Sequence, residues 1–151
     1  ISKFKLSKPL TENLTVIGAD GKLKEYDDER NLIRDFCDFR LGILQKRIDL
    51  RLDEAKELAR WLKVKMEFIQ AVLDDKIVFK NQKKAAVGKQ IIDVTSAIDT
   101  DVDRLLRINI MSLTDEMVKE LAKEIKEAER ETKYWLKETP KSQFEKDLDE
   151  L

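Results

Sequence analysis

The sequence predicts a mainly α chain: a long antiparallel helical hairpin of coiled-coil type, with a small, mostly helical tip module and an N-terminal β-hairpin. Three observations predict it. The 151 residues are 40% charged and 42% hydrophobic with only 4 Gly and 2 Pro, a balance suited to long solvated helices, because a rod exposes more surface than a sphere. Two long segments carry apolar residues at alternating steps of three and four, the seam of a helix packed lengthwise on a partner. A stretch of short elements separates them, and two seams so connected fold most economically as an antiparallel pair. The length suits one domain with its own core.

The first segment, residues 1–27, is predicted to form strands at the base of the hairpin. Phe4 and Leu6 alternate with lysines, Leu14–Ile17 is apolar, and Leu23 and Tyr26 follow Gly18-Ala19-Asp20-Gly21. Asp-Gly supplies the positive φ of a tight turn. A lone hairpin is marginal in water, so this piece is expected to pack against something larger. Residues 28–73 form the outgoing helix, with a seam at Leu41, Leu44, Ile48, Leu52, Ala55, Leu58 or Ala59, Leu62, Met66, Ile69 and Leu73. At 1.5 Å per residue it would run roughly 65–70 Å. Gly42 inside it costs about 1 kcal/mol relative to Ala, which favours a bend or a close contact there.

Residues 74–113 form the tip module, with Ile77-Val78-Phe79 as a strand or an apolar peg and Gln82–Ile92 as a short helix. Residues 114–139 form the returning helix. Thr114 is positioned to cap it, Asp115 and Glu116 suit the positive end of its dipole, and its seam runs Met117 or Val118, Leu121, Ile125, Ala128, Thr132 and Trp135. Residues 140–151 form a last short helix begun by Pro140, with Phe144 and Leu148 as its buried side.

Composition excludes several chemistries. There are no histidines, which removes the commonest general base and the commonest zinc ligand. Cys37 is the single cysteine, so no intrachain disulfide forms and a Cys-rich metal site is excluded. A lone thiol suits a reducing cytosol. Lys plus Arg number 30 against 31 Asp plus Glu, giving no overall drive toward nucleic acid or an anionic membrane. No apolar run has membrane-spanning length and no secretory leader is visible. The first residue is Ile1 rather than Met, so an excised fragment, or else a processed product, is expected. These features together point to mechanical work, with no complete catalytic site.

Asp99, Asp101 and Asp103, spaced by two, are the sharpest candidate metal ligands. A calcium loop fails on its neighbours, because Arg104 stands where the sharp turn needs glycine and Ile110 where a bidentate Glu belongs. The expectation is a solvated acidic loop and no metal site. Val87-Gly88-Lys89 lacks the upstream glycine and the following Ser or Thr of a phosphate loop. Lys76, Lys80, Lys83, Lys84 and Lys89 occur with no acid between them. Of these, Lys80, Lys83, Lys84 and Lys89 are candidates to face DNA, as are Arg40, Lys46 and Arg47 beside Arg51 on the long helix; a solvated face is the alternative for each. Trp61, Tyr134 and Trp135 fall at or near seam spacing and are expected to pack. Leu105, Leu106, Ile108 and Ile110 are interrupted by Arg107 and Asn109. This run either closes the module's own core or is exposed as a partner surface.

Ordered motifs add a resemblance. Gly21-Lys22-Leu23-Lys24-Glu25-Tyr26, followed by a helix with Arg40-Leu41 and Gln45-Lys46-Arg47, resembles the segment entering the coiled-coil arm of type IIA DNA topoisomerases. Leu105-Leu106-Arg107-Ile108-Asn109-Ile110-Met111-Ser112-Leu113-Thr114 resembles the family's element leading into the returning arm. Lys137-Glu138-Thr139-Pro140-Lys141 with Glu145-Lys146-Asp147-Leu148 resembles its exit. The resemblance spans nearly the whole chain in the correct order, and is closer to the eukaryotic-type pattern than to bacterial gyrase. The short tip suggests the T-even-type bacteriophage branch. Ile43 and Leu44 stand where many relatives have aromatic residues, and Ile108 where the family has Met.

The resemblance implies a parent enzyme that uses ATP and Mg²⁺ to pass one duplex through a transient break in another. Its cleavage tyrosine and metal-binding acids would lie outside this chain, so no catalytic residue and no cofactor is expected in it. This segment would be the arm and the exit gate, dimerising on a two-fold axis through Leu105, Leu106, Ile108 and Ile110. Its partners would be a second copy, other topoisomerase subunits and double-stranded DNA, in the cytoplasm of a host cell. A free-standing coiled-coil scaffold with no DNA role is the rival reading; it explains both seams but not the ordered motifs.

Overall fold

A computed structural model describes residues 13–79, 82–109 and 115–150. In chain order it contains β1 (Leu14–Ile17), β2 (Leu23–Tyr26), α1 (Glu29–Leu73), α2 (Lys84–Val94), α3 (Asp99–Leu105), α4 (Asp115–Lys137) and α5 (Pro140–Asp149). The chain divides into two compact units, one of Ile1–Arg47 with Thr139–Leu151 and one of Ile48–Glu138. Helix α1 contributes its beginning to the first and its remainder to the second.

In the first unit, β1 and β2 pair antiparallel with Leu14 opposite Tyr26 and Ile17 opposite Leu23. The turn closes through Gly18 N–H donating to Lys22 O at 2.8 Å and Gly21 N–H donating to Gly18 O at 3.0 Å. Gly21 takes φ +76°, in the left-handed region where a Cβ is disfavoured. Phe4 and Leu6 lie outside the described residues. Helix α1 starts just after Asp28, whose carboxylate accepts the Arg30 N–H at 2.9 Å, satisfying one of the free amides of the first turn. The Tyr26 hydroxyl donates to Asp35 at 2.8 Å and Lys24 pairs with the same carboxylate, which ties the hairpin to α1. Both donors hold the Asp35 carboxyl below its ordinary pKa, Lys24 most strongly.

Helix α5 begins with Thr139, whose hydroxyl accepts the Ser142 N–H at 3.2 Å, and with Pro140 in the first turn. Its inward side differs from the expected one. Leu148 is 53% exposed, Phe144 is half-buried and Gln143 is buried. The side chain one turn beyond Gln143 explains the rotation. Asp147 accepts from Arg40 at 2.7 Å and from Arg47 at 3.4 Å, and two residues seven apart on α1 lie on one stripe and converge on one carboxylate. Gly42 meets no heavy atom of the described residues within 4 Å of where a Cβ would stand, so of the expected bend or close contact the second is not found there.

In the second unit, α1 packs along α4, the returning half of the hairpin. Ala59, Leu62 and Ile69 share a core with Leu121, Ile125 and Ala128, and Lys63 pairs with Glu129 at 2.6 Å. Small residues at 55, 59 and 128 let the helices approach. Leu58 is exposed, so Ala59 is the seam residue. Helix α4 has 23 residues, about 35 Å of rise. The Thr132 hydroxyl is turned back onto Ala128 O at 2.8 Å. Thr114, the expected cap, lies outside the described residues.

Helix α1 ends in a Schellman motif: Lys76 N–H donates to Ala71 O at 2.9 Å and Asp75 N–H to Val72 O at 3.1 Å. Asp75 takes φ 56° at the position where glycine is usual. Beyond it Ile77-Val78-Phe79 forms a peg rather than a strand. Ile77 is buried, and Phe79 meets Phe68 edge-to-face with centroids 6.4 Å apart. Helix α2 lies on α3, with Gly88 so close that an added Cβ would stand 3.2 Å from the Val102 side chain. Gly88 is thus a packing residue of a helix.

Candidate functional site

The tip of the second unit, α2 and α3 on the last turns of α1, gathers most of the candidate residues. Its foundation is a second apolar stripe on α1. Val64, Phe68 and Ala71, spaced four and three, are buried together with Ile91, Ala97 and Leu105, so α1 is apolar on two sides where the module covers it.

One ion pair anchors α3 to this base. Asp101 is 2% exposed, and Arg60 grips it with Nη1 to Oδ2 at 2.7 Å and Nη2 to Oδ1 at 3.2 Å. Oδ2 also accepts the Ile98 N–H at 3.2 Å, capping α3. Arg60 holds Glu57 as well, at 2.6 and 2.9 Å, while Arg104 stacks 3.9 Å from the Trp61 ring centre. The Arg60 guanidinium, chiefly, holds the Asp101 carboxyl below its usual range against the opposing effect of burial, helped by the Ile98 amide.

This arrangement corrects the expected solvated acidic loop. Asp99, Asp101 and Asp103 lie in a helix, where residues two apart point about 200° apart. Asp101 faces inward to Arg60, whereas Asp103 faces Lys84 at 2.6 Å. Among the described residues no group of three or more His, Cys, Asp or Glu converges to hold a metal ion.

The alternating run is divided by depth. Leu105 is fully buried in the module's own core, while Leu106 and Ile108 are half-buried against its edge; Ile110 lies outside the described residues. Leu105 therefore supports any surface here from beneath, leaving Leu106 and Ile108 partly available. The basic candidates are likewise divided. Lys83, Lys84 and Lys89 are exposed on α2, with Lys84 paired to Asp103; Lys80 lies outside the described residues. Arg40 and Arg47 are bound to Asp147, Arg51 is paired with Glu54 at 3.2 Å, and Lys46 is exposed.

Pattern reading missed Ile92, Val94 and Ile98. They are 38%, 42% and 53% exposed at the α2–α3 corner. The first unit holds an open cleft of about 720 Å³ between the hairpin turn and the start of α1, lined by Val16, Tyr26, Leu32, Phe36 and Phe39. Among the described residues no helix is long and apolar enough to cross a membrane.

Comparison with known proteins gives this geometry a family. The family of the DNA gyrase and topoisomerase IV A-type subunits matches residues 1–149. The DNA topoisomerase medium subunit of Enterobacteria phage T4 is 34% identical over 150 residues, covering 98% of this chain and 33% of that protein. A DNA topoisomerase 2 of Acanthamoeba polyphaga mimivirus is 33% identical over 160 residues, covering 98% of the chain and 13% of that protein. The chain thus spans about a third or less of the length of these relatives. The crystal structure of the Plasmodium falciparum topoisomerase II DNA-binding, cleavage and re-ligation domain shares its fold, with a TM-score of 0.75 at 24% identity over 98% of this chain and 24% of that one. The ordered motifs have their explanation in common descent: the chain belongs to the DNA gyrase/topoisomerase IV family, in its A-type branch.

Proposed function

We propose that this chain is the coiled-coil arm and dimerising exit gate of an ATP-dependent type IIA topoisomerase, the region through which a transported duplex leaves. The observation that carries the reading is the second unit itself: two helices sharing one seam, ending in a small module that the part-buried Arg60–Asp101 pair ties to α1. Such a unit transmits force without bending, because a close-packed seam resists sliding. Nothing in it needs to do chemistry. Cleavage by a tyrosine, and the use of Mg²⁺ and ATP, belong in this reading to other parts of the parent protein.

The partners are a second copy of the chain, the other topoisomerase subunits and double-stranded DNA, within the cytoplasm of a host cell. The gate has to hold and reopen, so its interface is modest in area and reversible. Leu106 and Ile108 form its apolar part, with Leu105 buried beneath them; Ile110, outside the described residues, is assigned to it by sequence alone. Of the described basic candidates, exposed Lys46, Lys83 and Lys89 would meet passing DNA, whereas Arg40, Arg47 and Lys84 share their charge with Asp147 and Asp103; Lys80, outside the described residues, is assigned by sequence alone. A free-standing scaffold offers no reason for family membership across residues 1–149.

The test is sedimentation of the wild-type chain and of Ile108→Asp. The wild type is expected to show a concentration-dependent monomer–dimer equilibrium, and the variant to be monomeric with its helical circular dichroism intact. A dimer unchanged by the substitution contradicts the assignment of this surface.

A further inference from the structure

Helix α4, the shaft of the arm, sorts its charges by face. Lys119, Lys123, Lys126, Arg130, Lys133 and Lys137 recur at alternating steps of four and three, and all are exposed. At about 100° per residue they fall within one arc of about 80°, which no other residue between Lys119 and Lys137 shares. That arc lies roughly opposite the Leu121, Ile125 and Ala128 seam that packs with α1. The next face round carries exposed Glu120, Glu124, Glu127 and Glu131. Acids and cations three or four apart are placed to pair within a helix. Among the described residues, none of these cations is in an ion pair, and the acid of α4 that is paired is Glu129, with Lys63.

The composition of the stripe indicates what it meets. It holds no apolar side chain, whereas a protein contact is centred on aromatic or aliphatic anchors with charged residues depleted. A helix that enters a membrane surface likewise needs an apolar face beside its cations. A polyanion needs neither, because its affinity comes from counterions released as phosphates are neutralised. From Lys119 to Lys137 the stripe runs about 27 Å, with a cation every 5 Å or so, and that length matches about eight base pairs of duplex. The acidic face repels the same polymer, so a duplex can approach α4 from one side only.

We propose that the outer face of α4 is a phosphate track: a sequence-independent binding site along which a DNA duplex lies lengthwise, held by the backbone alone. The proposal rests on the reading that a duplex passes this region, and needs no pairing between copies. It places contact on the shaft of the arm, on residues that the gate reading leaves without a role. Because the helix is fixed on α1, the cations are already in line and little order is lost when DNA arrives. Contacts made only to phosphates let a duplex slide, which suits a polymer that has to move on.

Fluorescence anisotropy of a labelled duplex, titrated with the whole chain at about 50–200 mM salt, tests it. The triple variant Lys126→Gln, Arg130→Gln and Lys133→Gln is expected to bind about tenfold more weakly or worse. Its plot of log affinity against log salt should be shallower by about 2–3, near 0.9 for each lost phosphate contact. Lys119→Gln with Lys137→Gln, at the two ends, should flatten the plot by about 1–2. Glutamine is a good helix former, and circular dichroism checks that the helices persist. Lys83→Gln with Lys89→Gln, on the tip, should keep the greater part of the affinity. Wild-type affinity and slope in both α4 variants, or affinity lost only through the tip variant, overturns the track and leaves the gate reading standing. Polyglutamate competing as well as unlabelled duplex overturns the assignment to DNA. A dimer unchanged by Ile108→Asp, with DNA affinity still lost in the α4 variants, contradicts the gate surface and supports the track.

Discussion

Replacing Phe68 by Ala is expected to destabilise the second unit by about 3–5 kcal/mol, the usual cost of deleting a buried aromatic side chain. Phe68 is only 2% exposed and shares its core with Ile69, Ile77, Ile91 and Leu105. It belongs to the stripe that seats the tip module, and Phe79 meets it edge-to-face at 6.4 Å, a contact worth about 0.5–1.5 kcal/mol beyond area burial. The loss is large against a total stability of about 5–15 kcal/mol for a typical domain. The thermal midpoint read from helical circular dichroism should fall by about 10 °C or more. Phe68→Leu, which refills much of the volume, should recover most of the loss. Equal effects of the two substitutions would show that the site tolerates a void.

Replacing Arg60 by Leu is expected to cost about 1–3 kcal/mol at neutral pH, since the buried Asp101 carboxylate loses its guanidinium partner. The cost is less than that of breaking a fully buried pair, because Arg60 is itself 35% exposed. Asp101 would keep the Ile98 amide and lose the guanidinium. Arg60→Leu combined with Asp101→Leu should be less damaging than Arg60→Leu alone, since the uncompensated buried charge is then gone. Acid provides an independent check. The Asp101 carboxyl has its pKa lowered in the folded chain, chiefly by Arg60. Its contribution is therefore fully present above the unfolded carboxyl pKa of about 3.9 and is lost as pH falls through the lower folded value. In the Arg60→Leu variant the largest influence lowering the Asp101 pKa is gone, and burial is opposed only by the Ile98 amide and Arg104, so the pKa rises from its wild-type value. Urea midpoints of wild type and variant should thus converge as pH is lowered from 7 toward 4. A constant gap across that range would mean that packing, rather than charge, sets the cost.

These two sites also mark how far pattern can be read. The seam at Ile48, Ala55, Leu62, Ile69, Leu121, Ile125 and Ala128 was legible because a helix repeats its faces every 3.6 residues, and long repeats leave little ambiguity. Phe68 had a signal too. Val64, Phe68 and Ala71 form their own stripe, masked by the stronger seam beside it, which already explained the helix. Arg60 and Asp101 had none. They are 41 residues apart, and a buried pair between helices joined by irregular chain leaves no periodicity. The acidic triplet misleads for a related reason, since spacing by two suggests convergence in a loop and divergence in a helix. Leu148 and Gln143 show the same limit at the other end of the chain. Apolar spacing alone placed Leu148 inward, but two arginines on α1 turned Asp147 inward instead. Ile92, Val94 and Ile98 were invisible as a surface because exposure depends on what Ile91 and Ala97 fill beneath them.

We propose a mechanical role: two copies of this region would close a gate through which a duplex leaves. Locking that gate in the full-length parent protein tests it most directly. With Cys37 replaced by Ser, Ile108→Cys would be cross-linked across the two-fold axis by a bifunctional thiosulfonate, each Cys thiolate displacing a sulfinate to form a mixed disulfide that reductant cleaves. The account predicts that the locked enzyme still cleaves DNA and admits one duplex, then retains it as a closed circle through high salt until reductant is added. Unimpaired multiple turnover by the fully cross-linked enzyme would contradict the account.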